Sequence, residues 1–358
     1  MDQEYTRRIA KIDAELERWL PAEPDSAWAQ KVFGGISKQI DTDSIKLLLD
    51  PARELLFRGG KRWRPLLMTL VYEALAHDKL CRDVAGGAES NIAISLSPVV
   101  EFSHNASLIH DDIEDASDER RGKPAIHKMF GVDVAINSGS FFYFLSSACI
   151  ESFQGAGNPD KSFIYKLWMD CMRRLHLGQS MDINWHRDIS FVPTVEQYFL
   201  MTAMKTGSLA RLAVEIGVTL SESFNTAPNR QDRAKSWGEA ADKLGIGFQI
   251  LDDVKNLTTG IHGKKHGDDV VEGKKSLPVI LFLNKYPEKQ KRIFDIFQAA
   301  KEKGAAAPEV DEFINLLSSS GVFEEANKMG KSLLDETKKV FHSEKDSGCL
   351  SNFINLIS

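Results

Sequence analysis

The chain has 358 residues, 42% of them hydrophobic, with 51 acidic against 45 basic side chains and a formal net charge of −6. That length admits one large domain or two ordinary ones, and the apolar share suits a globular protein with a sizeable core. The acidic balance argues against nucleic acid as a partner. Four scattered cysteines (Cys81, Cys149, Cys171, Cys349) show no CxxC spacing, which argues against a disulfide framework and fits a reducing cytoplasm.

In chain order, the opening "MDQEYTRRIAKIDAELERWL" is charged and amphipathic, unlike a signal peptide. No stretch reaches about 18 uninterrupted apolar residues, so no membrane insertion is expected, and no prenylation-type Cys stands four from the end. "FRGGKRWRP" then places Lys61, Arg62 and Arg64 behind two glycines. Glu89 to Asp115 is apolar nearly all round before turning acidic, the pattern of a helix buried along its length that opens into a polar cavity at one end. "VDVAINSGSFFYFLSSACIESF" reads as a second buried helix, with small residues where a neighbour can approach. Phe163 to Trp185, Val195 to Leu220 and Arg233 to Leu257 are three more. Between them lie "GAGNPDKS", "DISFVPT", whose Thr194 is placed to cap the next helix, and "NTAPNRQD". "TTGIHGKKHGDDVVEGKKSLP" is a Gly- and Lys-rich loop long enough to suggest function. Alternating strand patterns and internal repeats are absent. The expected fold is all-α, a single-domain helical bundle over residues 1–358, with a motif core over about 50–285 and shorter amphipathic helices over 286–358.

Carboxylates four apart lie on one helix face. Asp111 and Asp115 are such a pair, with Asp112 beside them. At that spacing they repel unless a positive charge lies between them. One such cluster is equally a solvated helix end or a cation site. A second one, Asp252, Asp253 and Asn256 in "GFQILDDVKN", repeats the spacing at the end of another apolar helix and favours the cation. All-oxygen ligands select a hard ion, Mg²⁺, which keeps waters and completes its shell with substrate phosphate oxygens. Basic residues coupled to glycine turns complement that reading. They are Lys61, Arg62 and Arg64, then Arg120 and Arg121 in "RRGKP", Lys205 in "MKTGS", Lys264 and Lys265 in "HGKKHGDD", and Lys274 in "EGKKS". Such turns suit diphosphate recognition, whereas GxxxxGK[ST] is missing and a nucleotide P-loop is not supported.

These motifs, in the order GGKxxRP, a His ahead of "LIHDDIED", "RRGKP", "GQSMDINW", "KTGSL", "FQILDD", GK and EGK, resemble the trans-isoprenyl diphosphate synthases. That family makes geranylgeranyl and longer polyprenyl diphosphates. The resemblance runs from Gly59 to Pro278. It implies an all-α bundle around a central cavity, a homodimer, and Mg²⁺, three per active site. It implies that Lys61, Arg64, His104 and Arg121 hold isopentenyl diphosphate. Asp111 and Asp115, with Asp112, would bind Mg²⁺ on the allylic diphosphate, gripped also by Arg120. Lys205, Thr206, Gln249 and Lys264 would complete the allylic site. Asp252 would take a further Mg²⁺ with Asp253 and Asn256 close by, and Gln179 and Asp182 would support the metal's waters. One departure is Asn256, where many members carry Asp: it keeps an oxygen ligand and drops a charge.

The implied chemistry is ionisation of an allylic diphosphate and attack by the isopentenyl double bond, with Asp111, Asp115, Lys205 and Asp252 in the catalytic roles. Ser103, Ala106 and Ser107 lie one to two turns before Asp111 and are small, so no aromatic floor blocks those turns. With about 5.4 Å per turn, a product longer than C15, C20 by preference, is expected, and Phe102, Val99 and Val100 are candidate floor residues. Close helix packing is the other use of such small residues. A class I terpene cyclase would not need Lys61, Arg64 and His104. A non-catalytic synthase subunit would lack one acidic motif, and a His110-Asp111 phosphohydrolase would need further histidine ligands.

Overall fold

The computed structural model describes residues 3–35, 40–76, 92–154, 161–222, 230–259, 268–342 and 348–357, and nearly all of them are helical, as the periodicity requires. The chain divides into two compact units. The first is Met1–Met172, Arg211–Gly238 and His342–Phe353; the second is Arg173–Ala210, Glu239–Phe341 and Ile354–Ser358.

The first unit begins with α1 (Gln3–Trp19), α2 (Ser26–Phe33), α3 (Thr42–Leu56) and α4 (Trp63–Leu75). After a 3-10 turn over Ile92–Leu96 come α5 (Ser97–Glu114), a two-stranded hairpin of β1 (Glu119–Arg120) and β2 (Lys123–Pro124), α6 (Ile126–Phe130) and α7 (Val132–Ser152). The sequence reading began the acidic-tipped helix at Glu89. The α-helix instead starts at Ser97, because Pro98 has no N–H to donate and fits only the first turn; residues 89–91 lie outside the described residues. Helix α5 lies along α7, α3 packs on α7, and α1 and α4 pack on α5. Val99, Val100, Phe102 and Phe142 are fully buried there, with the Phe102 and Phe142 rings 4.8 Å apart. Each such side chain contributes about 1.5–3 kcal/mol of burial.

The hairpin is antiparallel, with Arg120 opposite Lys123. Arg121 (φ 56°) and Gly122 (φ 74°) form its tip, the two positive-φ positions of a type I′ turn. Two residues per strand leave no alternation to detect in the sequence.

The remaining helices are α8 (Lys161–Arg187), α9 (Val195–Thr202), α10 (Ser208–Glu222), α11 (Arg230–Thr258), α12 (Asp268–Val271), α13 (Leu277–Lys285), α14 (Gln290–Lys303), α15 (Pro308–Ser320), α16 (Val322–Phe341) and α17 (Gly348–Ile357). Within the second unit, Ile250, Leu277, Ile280, Ile293, Phe297 and Phe313 form a continuous core. Thr194 does cap α9: its hydroxyl accepts from Gln197 N at 3.2 Å while Gln197 Oε1 accepts from Thr194 N at 2.9 Å. The sequence reading ran one helix from Val195 to Leu220. In the structure Ala203–Gly207 is a π turn between α9 and α10, and this irregular segment carries Lys205 and Thr206.

Candidate active site

In the first unit, basic groups crowd around the start of α4. Arg64 Nη1 lies 3.2 Å from His104 Nε2. Arginine only donates, so Nε2 accepts and the imidazole proton sits on Nδ1. Burial and the neighbouring Arg64 and Arg121 hold His104 well below the usual imidazole range, so it is neutral at pH 7. Burial lowers Arg64 and Arg121 to about 10 each, still charged at neutral pH. Arg64 Nε is buried with no hydrogen-bond partner among the described residues, and the guanidinium lies 4.4 Å over the Trp63 ring. Arg121 Nη1 donates to Leu55 O (3.0 Å), Gly59 O (2.6 Å) and Asn105 Oδ1 (3.3 Å). Lys61 is exposed beside this cluster in sequence. A buried orphan donor among desolvated guanidinium groups has the chemistry that suits an anion with several oxygens.

The first carboxylate group sits at the end of α5. Asp111 and Asp115 are half-buried and Asp112 is fully buried. Arg120 donates from Nε to Asp112 Oδ1 (2.8 Å) and from Nη2 to Asp111 Oδ2 (3.2 Å), so β1 delivers a cation onto the acidic helix tip. Arg58, from the end of α3, holds the hairpin by donating to Arg120 O and Pro124 O, each at 2.9 Å. Asp112 Oδ2 remains buried without a hydrogen bond among the described residues.

In the second unit the π turn meets α8 and α11 at glycines. A Cβ on Gly178 would stand 2.4 Å from Lys205 N, and one on Gly245 would stand 2.4 Å from Gly207 Cα. This close approach presents Lys205 to Asp182, Nζ to Oδ2 at 2.6 Å, and His186 Nε2 reaches Asp182 Oδ1 at 3.0 Å. Burial alone would push the Asp182 carboxyl up, but Lys205 and His186 outweigh it and hold it well below the usual carboxylate range. Thr206 donates to Gln249 Oε1 (3.0 Å), and Gln249 Nε2 donates to Asp253 Oδ1 (2.8 Å). Tyr198 donates to Asp253 Oδ2 at 2.7 Å. Burial, reinforced by Asp269, raises Asp253 to about 7. Asp252 is half-buried, and Asn256 is buried with both amide atoms unpartnered among the described residues. An orphan of that kind costs about 1–3 kcal/mol.

The oxygen donors Asp111, Asp115, Asp252 and Asn256 Oδ1 suit a hard divalent cation. Among the described residues no three His, Cys, Asp or Glu side chains already converge as a cage.

The sequence-selected residues thus fall into linked sets: Arg64 with His104, Arg121 with Asn105, Arg120 with Asp111 and Asp112, Lys205 with Asp182, and Thr206 with Gln249 and Asp253. Lys264 and Lys265 lie outside the described residues. Sequence reasoning missed the roles of Arg58, Glu101, Tyr198 and His186, for which the only available signal was His186 four residues after Asp182, on the same helix face; Arg62, expected from the sequence among the diphosphate-binding cations, instead donates to Asp13, Glu101 and Leu56 O. Among the small residues of α5, Ser103 and Ala106 are fully buried. Ser103 Oγ donates to Val99 O (2.7 Å) and accepts from Trp168 Nε1 (3.2 Å), so it serves helix contacts. Ser107 is half-buried and its hydroxyl turns back onto His104 O at 2.7 Å.

Residues 45–316 match the family model described as polyprenyl synthetase. The chain is 35% identical over 256 residues to a geranylgeranyl pyrophosphate synthase of Aspergillus fumigatus, covering 71% of this chain and 65% of that one. It is 32% identical over 294 residues to a short chain isoprenyl diphosphate synthase of Methanocaldococcus jannaschii, covering 81% and 82%. The crystal structure of a geranylgeranyl pyrophosphate synthetase from Pyrococcus horikoshii superposes with a TM-score of 0.77 at 25% identity, covering 98% of each chain.

Proposed function

The chain belongs to the polyprenyl synthetase family, and from that premise we propose that it is a trans-prenyltransferase joining isopentenyl diphosphate to an allylic diphosphate, with C20 geranylgeranyl diphosphate as product. The observation that carries this reading is the cluster of buried Arg64 with half-buried His104 and Arg121, and its orphan Arg64 Nε. It supports a second diphosphate site built on side chains other than the carboxylates and their partner Arg120, which a coupling enzyme needs and a terpene cyclase does not.

In this mechanism Arg64, Arg121 and exposed Lys61 grip the isopentenyl diphosphate, and neutral His104 orients Arg64 without adding charge. Arg120, Lys205, Thr206, Gln249 and Lys264 hold the allylic diphosphate. Its C–O bond breaks with the electron pair leaving on the diphosphate; the isopentenyl double bond attacks the allylic cation, and the proton then lost passes to the departing diphosphate. Cationic donors fixed in a polar site before reaction stabilise that developing charge. Three Mg²⁺ ions would be held by Asp111, Asp112 and Asp115 and by Asp252, Asp253 and Asn256, and would supply further charge neutralisation. Gln179 and Asp182 would support the metal's waters. Ala106 and Ser107 line the path of the growing hydrocarbon, while Ser103, bonded to Val99 O and Trp168, packs behind them.

A homodimer accompanies this reading: Met129 on α6 and Val132, Ile136 and Phe144 on α7 are exposed apolar side chains suited to a second copy. The buried free thiols Cys149 and Cys171 support a cytoplasmic location. Among the described residues no helix is long and apolar enough to cross a membrane.

The test is incubation of the purified protein with Mg²⁺ and dimethylallyl, geranyl or farnesyl diphosphate, with and without isopentenyl diphosphate, and sizing of the products. Isopentenyl-dependent formation of a C20 diphosphate supports the reading; consumption of the allylic diphosphate alone overturns it in favour of a cyclase.

A further inference from the structure

Three arginines lie near the isopentenyl cluster, and they are not equivalent. Arg64 keeps a buried orphan donor. Arg62, two residues earlier, has every side-chain nitrogen engaged. Its Nε donates to Asp13 Oδ1 (2.8 Å), Nη1 to Glu101 Oε1 (3.0 Å) and Nη2 to Leu56 O (2.7 Å). These bonds use three of its five N–H donors, one on each nitrogen, and the side chain is only 3% exposed, which leaves it poorly placed to meet a ligand. Its backbone is unusual too: Arg62 is in the left-handed region at φ 48°, immediately before α4. A non-glycine residue keeps that conformation only where its surroundings over-determine it, and here the three side-chain bonds do so. The same acid extends the network, because Asn105 Nδ2 donates to Glu101 Oε1 at 3.1 Å while Asn105 Oδ1 accepts from Arg121 at 3.3 Å.

Asp13 is the outlying member. It stands on α1, ahead of the residues 45–316 matched by the family model. Its side chain is 44% exposed, whereas those of Arg62 and Glu101 are 3% exposed. We propose that Asp13 of α1 is a positioning residue of the isopentenyl diphosphate site: it acts through Arg62 to hold the turn that aims Arg64. This rests on the functional reading above. The first helix is thereby part of the substrate site. Losing the Asp13 carboxylate frees one edge of Arg62, lets the left-handed turn relax, and shifts Arg64 relative to His104 and Arg121. Displacements of this size weaken binding strongly when a ligand depends on several converging donors.

The experiment compares the full-length wild type with Asp13→Asn, Asp13→Glu, Arg62→Met and the Asp13→Asn/Arg62→Met pair. Steady-state kinetics are measured with each substrate varied in turn, alongside thermal melting. The expected result for Asp13→Asn is a KM for isopentenyl diphosphate raised about tenfold, with kcat and the allylic KM within about twofold of wild type. Asp13→Glu restores most of the loss, and Asp13→Asn adds little once Arg62 is Met, since both act on one turn. Should Arg62→Met fail to fold, the Asn and Glu variants decide the matter alone. An unchanged isopentenyl KM in Asp13→Asn, whatever its melting temperature, overturns the proposal, as does an equal rise in both KM values. Wild-type protein with no isopentenyl-dependent turnover overturns the functional reading itself, a result distinct from these.

Discussion

The two carboxylate motifs look alike in sequence and differ in what balances them. At the end of α5, Asp111 and Asp112 have an arginine supplied by the adjoining hairpin, Arg120. On α11, Asp253 is bound by the neutral donors Tyr198 and Gln249, and its carboxyl is raised to about 7. The nearby lysine, Lys205, is engaged by Asp182 instead. Asp111 and Asp112 of one motif are thus partly neutralised by Arg120, whereas Asp253 of the other accepts its hydrogen bonds from uncharged groups and sits beside the orphaned amide of Asn256. The lesson is that spacing places carboxylates, while their readiness to take a cation depends on which partner the rest of the fold brings.

The largest expected effect treats the two motifs alike. Asp111→Ala and Asp252→Ala each lower kcat on the order of 10³-fold, because each removes part of the charge stabilisation of the leaving diphosphate. Steady-state assays at saturating Mg²⁺ measure it, and near-wild-type turnover in either variant breaks the symmetry of role.

Stability separates them next. Arg120→Met leaves Asp112, fully buried, without its charged partner and costs about 3 kcal/mol. Asp253→Asn removes a carboxyl the fold already disfavours and leaves metal-free stability at pH 8 equal or higher. Denaturant titration in EDTA checks both, and comparable losses from the two variants would erase the contrast.

The pH dependence carries opposite signs in the two regions. His104 binds its proton less well folded than unfolded, so its contribution is present above about 6.5 and is lost as pH falls below that value. Asp253 binds its proton more tightly folded, at about 7 against 3.8. Stability therefore declines as pH rises from about 4 to about 7 and is flat above. Melting curves in EDTA should show His104→Gln flattening the limb below about 6.5 and Asp253→Asn flattening the decline between about 4 and 7. Unchanged profiles in both variants would remove the electrostatic basis of the comparison.

The smallest change is in product size. Ala106→Phe should shorten the product by at least one five-carbon unit while costing about 1–3 kcal/mol, since Ala106 is fully buried. Chromatography of the products decides it: an unchanged length confines Ala106 to helix packing.

Fold class was legible because helical periodicity and capping are local, as Thr194 and Pro98 illustrate. The motif residues were legible because their types fit one chemistry in one order. The partners were not. Arg62 meets Asp13 and Glu101, and Tyr198 meets Asp253, across separations in sequence at which no periodicity speaks. The π turn at Lys205 was hidden for a related reason: its apolar pattern continues that of the flanking helices, and only the close glycine contacts of Gly178 and Gly245 distinguish it.

The most direct measurement is a crystal structure of the protein with Mn²⁺ in place of Mg²⁺ and an unreactive allylic thiodiphosphate, read by anomalous scattering. The account predicts metal peaks joining the diphosphate oxygens to Asp111 and Asp115 and, separately, to Asp252. A bound thiodiphosphate with no metal at either carboxylate set would contradict it.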